Sequence, residues 1–212
     1  NDMMTETTEL ETKVKKKSFK ILAYSDVHGD VGTIKRLVKE AKEADVDLVV
    51  NCGDFTKFGK NWEGMIGPFL DIGKRVLMIP GNHEDEMTAE FLTDMYGIKN
   101  MHGYGVSYGD VGLFGCGGGD VGLNVISDDD AHKTLKRGFQ LIRHMKKRVM
   151  IVHNHPSGTT MEKFSTIVGG NSGVRKAIEE MQPDIVICGH VHEASGIEEM
   201  IGPSKVINVA KT

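Results

Sequence analysis

Lys20-Ile21-Leu22-Ala23-Tyr24-Ser25-Asp26-Val27-His28-Gly29-Asp30 decides how the rest of the chain is read. Residues 20–24 form an apolar run of strand length, and the polar segment that follows stops it. Beyond Asp30, the residues Ile34, Leu37, Val38 and Ala41 recur on one helical face, so a helix is expected over 31–44 with Asp30 as its cap. Strand, polar turn and helix make one α/β step. Similar steps follow, with strands expected at 48–52 and 75–79 and a helix at 87–96 closed by Gly97. A hairpin pairs 104–107 with 111–116. Ser127 then caps a helix whose apolar positions are Ala131, Leu135, Phe139, Ile142 and Met145. The order continues with a strand at 149–152, a helix at 173–181, and strands at 185–188, 196–200 and 206–209. Alternating elements followed by a meander of strands predict an α/β fold of mixed sheets covered by helices.

The same polar residue types recur just after these strands. Asp26 and His28 follow the first strand, Gly53-Asp54 the second, and Gly81-Asn82-His83-Glu84 the third. His153-Asn154-His155 and Gly189-His190-Val191-His192 follow two later strands. Any one of these has an ordinary explanation, because Asp, Asn and Gly are turn formers and a single His can be a half-buried core residue. Turn chemistry has no use for histidine, however, and five strand ends carry it or a carboxylate together. The carboxyl ends of strands line the crevice of an α/β sheet, so these segments are expected to meet at one site. Oxygen and imidazole donors without sulfur suit Mn²⁺, Fe²⁺, Zn²⁺, Co²⁺ or Ni²⁺. Seven such side chains exceed the needs of one ion and match two ions that share a carboxylate. Asp-x-His and His-x-His alternate with period two, so both members of a pair can face one ion only where the pleat is broken.

In these blocks the sequence closely resembles the calcineurin-like binuclear metallophosphoesterase family, over about residues 20–209. The resemblance implies two mixed β-sheets packed face to face with helices on the outside. It places Asp26, His28 and His192 on one metal, Asn82, His153 and His190 on the other, and Asp54 between them. It implies hydrolysis of phosphomonoesters or small phosphodiesters by a hydroxide bridging two divalent ions, with Mn²⁺ favoured. Asp54 and His83 are then catalytic; Asn82, His83 and His155 contact substrate. His83, hydrogen-bonded to Glu84 or Asp26, would serve the phosphoryl oxygen or the leaving group. Where the family often carries Pro-Pro after its lone His, this chain has Asn154, His155 and Pro156, which leaves His155 as a substrate contact, a supporting group or a filler. The competing reading is a protein-binding scaffold that keeps this fold without turnover, as in the retromer subunit of similar fold.

Composition narrows the remaining choices. The 212 residues are 39% apolar and 26% charged, with a formal charge of −4. That acidic balance argues against nucleic acid as a partner and leaves a small phosphoester; the family resemblance makes a homodimer a reasonable assembly. No apolar run approaches the roughly 18 residues of a membrane span, and no secretory signal is recognisable, so a soluble cytoplasmic protein is expected. Residues 1–19, with basic Lys13, Lys15, Lys16 and Lys17, are read as a polar tail, and 20–212 as one domain. Cys52, Cys116 and Cys188 sit in apolar runs as small hydrophobes. Gly117-Gly118-Gly119-Asp120-Val121-Gly122 has the spacing of a dinucleotide-binding turn but no helix opening after it, so 115–127 is read as a flexible active-site loop. With the loops at 56–67 and 157–170, it is expected to set substrate choice. His102, His132 and His144 lie outside the blocks and are expected at the surface.

Overall fold

The computed structural model describes residues 18–211. The first sheet contains β1 (Ile21–Tyr24), β2 (Leu48–Asn51), β3 (Arg75–Met78) and β4 (Lys99–Asn100), in that order and wholly parallel. The second contains β5 (Gly105–Tyr108), β6 (Val111–Cys116), β7 (Lys147–Val152), β8 (Ile185–Cys188), β9 (Glu198–Ile201) and β10 (Ser204–Asn208), in the order β5-β6-β7-β8-β10-β9. Its centre is parallel and its two edge strands are antiparallel, so only this sheet is mixed.

Strand alternation explains the layering. Leu48 and Val50 of β2, Leu77 of β3, Val149 and Ile151 of β7 and Ile187 of β8 form one buried cluster between the sheets. Their alternate neighbours point outward. Val49, Val76 and Met78 pack under α1 (Val31–Glu43), α2 (Gly67–Asp71) and α3 (Glu86–Tyr96). Met150, Val152, Val186 and Cys188 pack under α4 (Asp128–Ile142) and α5 (Ser172–Met181). Strands buried on both faces read as continuous apolar runs, as expected for parallel sheets between helical layers. All three cysteines are buried thiols in this packing.

Asp30 caps α1 and Ser127 caps α4, each accepting from backbone N–H groups of the first turn. The last two strands lie up to two residues from the expected bounds, around the turn at Gly202-Pro203. Neither the five-residue α2 nor the two-residue β4 is long enough to show a period. Residues 1–17 of the expected tail lie outside the described residues. Phe19 does not belong to a tail: its ring stacks on Tyr108 with centroids 5.9 Å apart, so the domain begins before Lys20. Of the three histidines expected at the surface, His144 is exposed and His132 pairs with Glu180 at 2.7 Å. His102 is half-buried, and its Nδ1 accepts from the Gly117 N–H at 3.0 Å.

The helical layer over the second sheet is pinned where α4 and α5 begin. Asp128 accepts from Ser172 N at 3.1 Å and Ser172 Oγ at 2.6 Å. A Cβ on Gly173 would sit 1.7 Å from the Asp128 carbonyl oxygen, so any side chain must push the helices apart. Gly173→Ala is expected to cost about 1–3 kcal/mol through overpacking, despite the better helix propensity of alanine. Urea unfolding measures it, and an unchanged or raised midpoint would contradict so close an approach.

Candidate metal centre

The polar segments after β1, β2, β3, β7 and β8 converge at one end of the sandwich. The pleat breaks after β1, β2 and β8. Asp26, His28, Asp54 and His190 have φ of 60°, 50°, 52° and 71°, left-handed values that non-glycine residues seldom adopt. Backbone hydrogen bonds hold these turns against one another: Asp26 N–H donates to Gly53 O at 3.0 Å and His28 N–H to Asp54 O at 2.9 Å. At Gly81 an added Cβ would lie 2.0 Å from Asp54 Oδ1, which is why the third turn can approach the second.

Among the described residues, three overlapping sets place donor atoms within 4.8 Å of one another: Asp26, Asp54, His153 and His190; Asp26, His28 and His192; and His28, Asp54 and His83. His28 Nε2 and His192 Nε2 are 3.3 Å apart, and His192 Nε2 is 3.3 Å from Asp26 Oδ1. On the other side, His153 Nε2 faces Asn82 Oδ1 at 3.0 Å, His190 Nδ1 at 3.2 Å and Asp54 Oδ2 at 3.5 Å. His153 Nδ1 donates to Cys52 O at 2.8 Å, which turns Nε2 toward this cluster. All seven sequence-predicted ligands are therefore brought together.

The local electrostatics favour added positive charge. Asp26 and Asp54 are almost wholly buried. Burial alone would raise their pKa values, but His192 and His153 beside Asp26, and His153 with the His83 N–H beside Asp54, hold both below the usual carboxylate range. Burial would likewise lower His153, yet the charges of Asp54 and Asp26 carry it up to about 10. Asp26 Oδ1 is buried and accepts no well-aligned hydrogen bond. Oxygen and imidazole atoms aimed inward from every side, an orphaned carboxylate oxygen among them, fit a divalent cation.

His83 sits at the rim of this cluster. Its N–H donates to Asp54 Oδ1 at 2.9 Å, its Nε2 is 3.9 Å from Asp54 Oδ2, and its ring is 4.5 Å from that of His28. Its carboxylate neighbour is thus Asp54, not the expected Glu84 or Asp26. Glu84 is fully buried and accepts from Asp54 N, Gly81 N, Thr56 N and Thr56 Oγ1 at 2.6–2.9 Å. Burial and the charge of Asp54 push its carboxyl up to about 7. His155 is also fully buried, both ring nitrogens lacking a hydrogen-bond partner, and burial, then the nearby His190, pushes it down to about 4. With no exposed surface, it fits a supporting or filling role better than the expected substrate contact.

The sequence reading missed Asp120. Its Oδ1 is 2.9 Å from His190 Nε2, and its Oδ2 accepts from Gly169 N at 3.1 Å. The carboxylate therefore fixes the ring whose Nδ1 faces the cluster, and the only signal in the sequence was an acid in a glycine-rich loop. That loop is pinned rather than free: Gly118 N–H donates to Pro80 O at 3.0 Å, Leu123 N–H to Asn82 O at 2.8 Å and Asn124 Nδ2 to Gly81 O at 3.1 Å. No helix opens between Gly117 and Ser127, so the loop lacks the helix of a dinucleotide-binding turn.

Comparison with known proteins agrees with this geometry. A protein of Methanocaldococcus jannaschii described as uncharacterized is 27% identical over 201 residues, spanning 91% of this chain and 88% of that one. Among solved structures, a Thermus thermophilus protein aligns with a TM-score of 0.74 at 17% identity, covering 92% of this chain and 90% of that one. An archaeal phosphodiesterase aligns at 0.55 and 20% identity, covering 91% and 84%. At such identities these structures attest the fold. The family profile described as calcineurin-like phosphoesterase matches residues 19–194, every segment that contributes to the cluster, and the chain belongs to that family.

Proposed function

We propose that this chain is a metal-dependent phosphoesterase acting on phosphomonoesters or small phosphodiesters. The observation that carries this reading is the position of Asp54, whose carboxylate lies between the His28/His83 side and the His153/His190 side. Asp26, His28 and His192 would hold one divalent ion, Asn82, His153 and His190 a second, and Asp54 both. Such mixed donors suit Mn²⁺, Fe²⁺, Zn²⁺, Co²⁺ or Ni²⁺, of which the family resemblance favours Mn²⁺. Bound there, the ions supply positive charge to phosphoryl oxygens and make water acidic enough to serve as a nucleophile near neutral pH.

The protein's own groups do the rest. Asn82 contributes a neutral oxygen, so fewer negative charges confront an anionic ester. Asp120 holds the His190 ring through Nε2, leaving Nδ1 for the ion. His83 is held by its own N–H on Asp54, with Nε2 toward the side shared with His28, where it can pass a proton to the departing alkoxide.

EDTA treatment should abolish hydrolysis of bis-p-nitrophenyl phosphate and p-nitrophenyl phosphate, and Mn²⁺ or Ni²⁺ should restore at least one. No turnover with any divalent ion would favour a non-catalytic scaffold instead. Asp54→Asn is expected to reduce bound metal at both positions in parallel, read by elemental analysis. His83→Ala should keep its metal while kcat falls by about 10²–10⁴. Loss of metal in the His83 variant would assign that ring to the ligand shell.

A further inference from the structure

Beyond the cluster, the structure assigns Phe58 as the floor of a subsite for an aromatic ring on the substrate, an inference that rests on the phosphoesterase reading. Phe58 and Gly59 are the central residues of a two-residue turn closed by Lys57 N–H to Lys60 O at 2.9 Å and Lys60 N–H to Lys57 O at 3.1 Å. Both have positive φ, 51° and 72°, as such a turn requires, although the first position ordinarily favours Asn, Asp or Gly. An aromatic residue in that conformation must be held there. Gly59 N–H donates to Thr56 Oγ1 at 3.1 Å, and Thr56 Oγ1 donates to buried Glu84 at 2.6 Å. The turn is thereby anchored to the carboxylate that also fixes the Asp54 N–H.

The turn delivers Phe58 onto His83. The two rings stack with centroids 4.0 Å apart and planes 15° apart, yet Phe58 remains 53% exposed. Packing alone does not explain a half-open phenyl ring in a strained turn at the edge of an ionic site. A phosphoryl group served by His83 would have its organic substituent leaving past that histidine, next to Phe58. A planar apolar group there gains stacking and burial that an alkyl group of one carbon cannot. Exposed Lys57 and Lys60, which flank the turn in sequence, suit an anionic ester. The substrate class is therefore a phosphoester bearing an aromatic ring, whether aryl or nucleobase.

The test uses the full chain loaded with Mn²⁺ and two non-hydrolysable probes, phenylphosphonate and methylphosphonate, titrated by calorimetry at a pH where both are dianions. Phenylphosphonate should bind about tenfold tighter, the ratio expected from one good ring stack with its burial. Phe58→Ala should bring the two probes within about twofold of each other, and Phe58→Trp should keep the preference. Equal binding of both probes by the unaltered protein overturns the proposal. So does a Phe58→Ala variant that weakens both alike, since Phe58 would then only prop the His83 ring. Absence of phosphoester hydrolysis with the aryl preference intact would instead sink the phosphoesterase reading and leave the subsite standing.

Discussion

Glu84 is the group on which the geometry of the site depends. Its carboxylate lies beneath the cluster with no exposed surface, and its two oxygens accept four hydrogen bonds, three from backbone N–H groups of two different strand-end turns. Those donors belong to residues bent out of the sheet, where no neighbouring strand can pair with them. Left unsatisfied, each buried N–H would cost about 1–3 kcal/mol. A single buried anion therefore makes the left-handed turn at Asp54 and the tight approach of Gly81 affordable together. The opposing cost is visible too, because burial and Asp54's charge both disfavour its ionised form. The hydrogen bonds offset much of that cost, as charge-assisted bonds can.

This arrangement separates two kinds of negative charge. Glu84 faces backbone donors and belongs to the fold; Asp26 and Asp54 face imidazoles and belong to the site. An isolated buried ion carries a penalty of several kcal/mol, so two carboxylates with an orphaned oxygen cannot be left uncompensated. The elevation of His153 expresses that demand in protons. A divalent cation would meet it with more charge and without a proton, with the imidazoles as neutral donors.

Much of this was legible in the sequence. Apolar runs of four to six residues and the 3.6-residue faces of α1, α4 and α5 foretold the layers, because burial on both faces of a strand or one face of a helix is a local pattern. That these seven residues would meet was legible for another reason: histidine has no role in a turn, so its recurrence after strands, beside Asp and Asn, stood out. Asp120 and Phe58 were not, since their importance lies in contacts with His190 and His83 some 70 and 25 positions away, set by how loops fold back. The carboxylate partner of His83 was misread for a similar reason. Of the two expected partners, Glu84 faces backbone donors and Asp26 faces His192, contacts set by how separate turns meet.

So many glycines between 115 and 122 read as flexibility in the sequence, yet their role in the structure is proximity. Gly119 and Gly122 lie against Asn82, where a Cβ would come within 3.0 Å of the Asn82 Cβ and 2.6 Å of its carbonyl oxygen. Removing side chains lets a loop from the second sheet lie flat on a turn from the first and donate hydrogen bonds to its carbonyls, and Asp120 is carried to His190 by that contact. The site is consequently sheathed by a loop on one side and by the turn bearing Phe58 on the other, both tied to the residues that face the cluster. Sequence change in either segment can alter what borders the cluster without moving the five strand ends, as loops on a rigid scaffold allow.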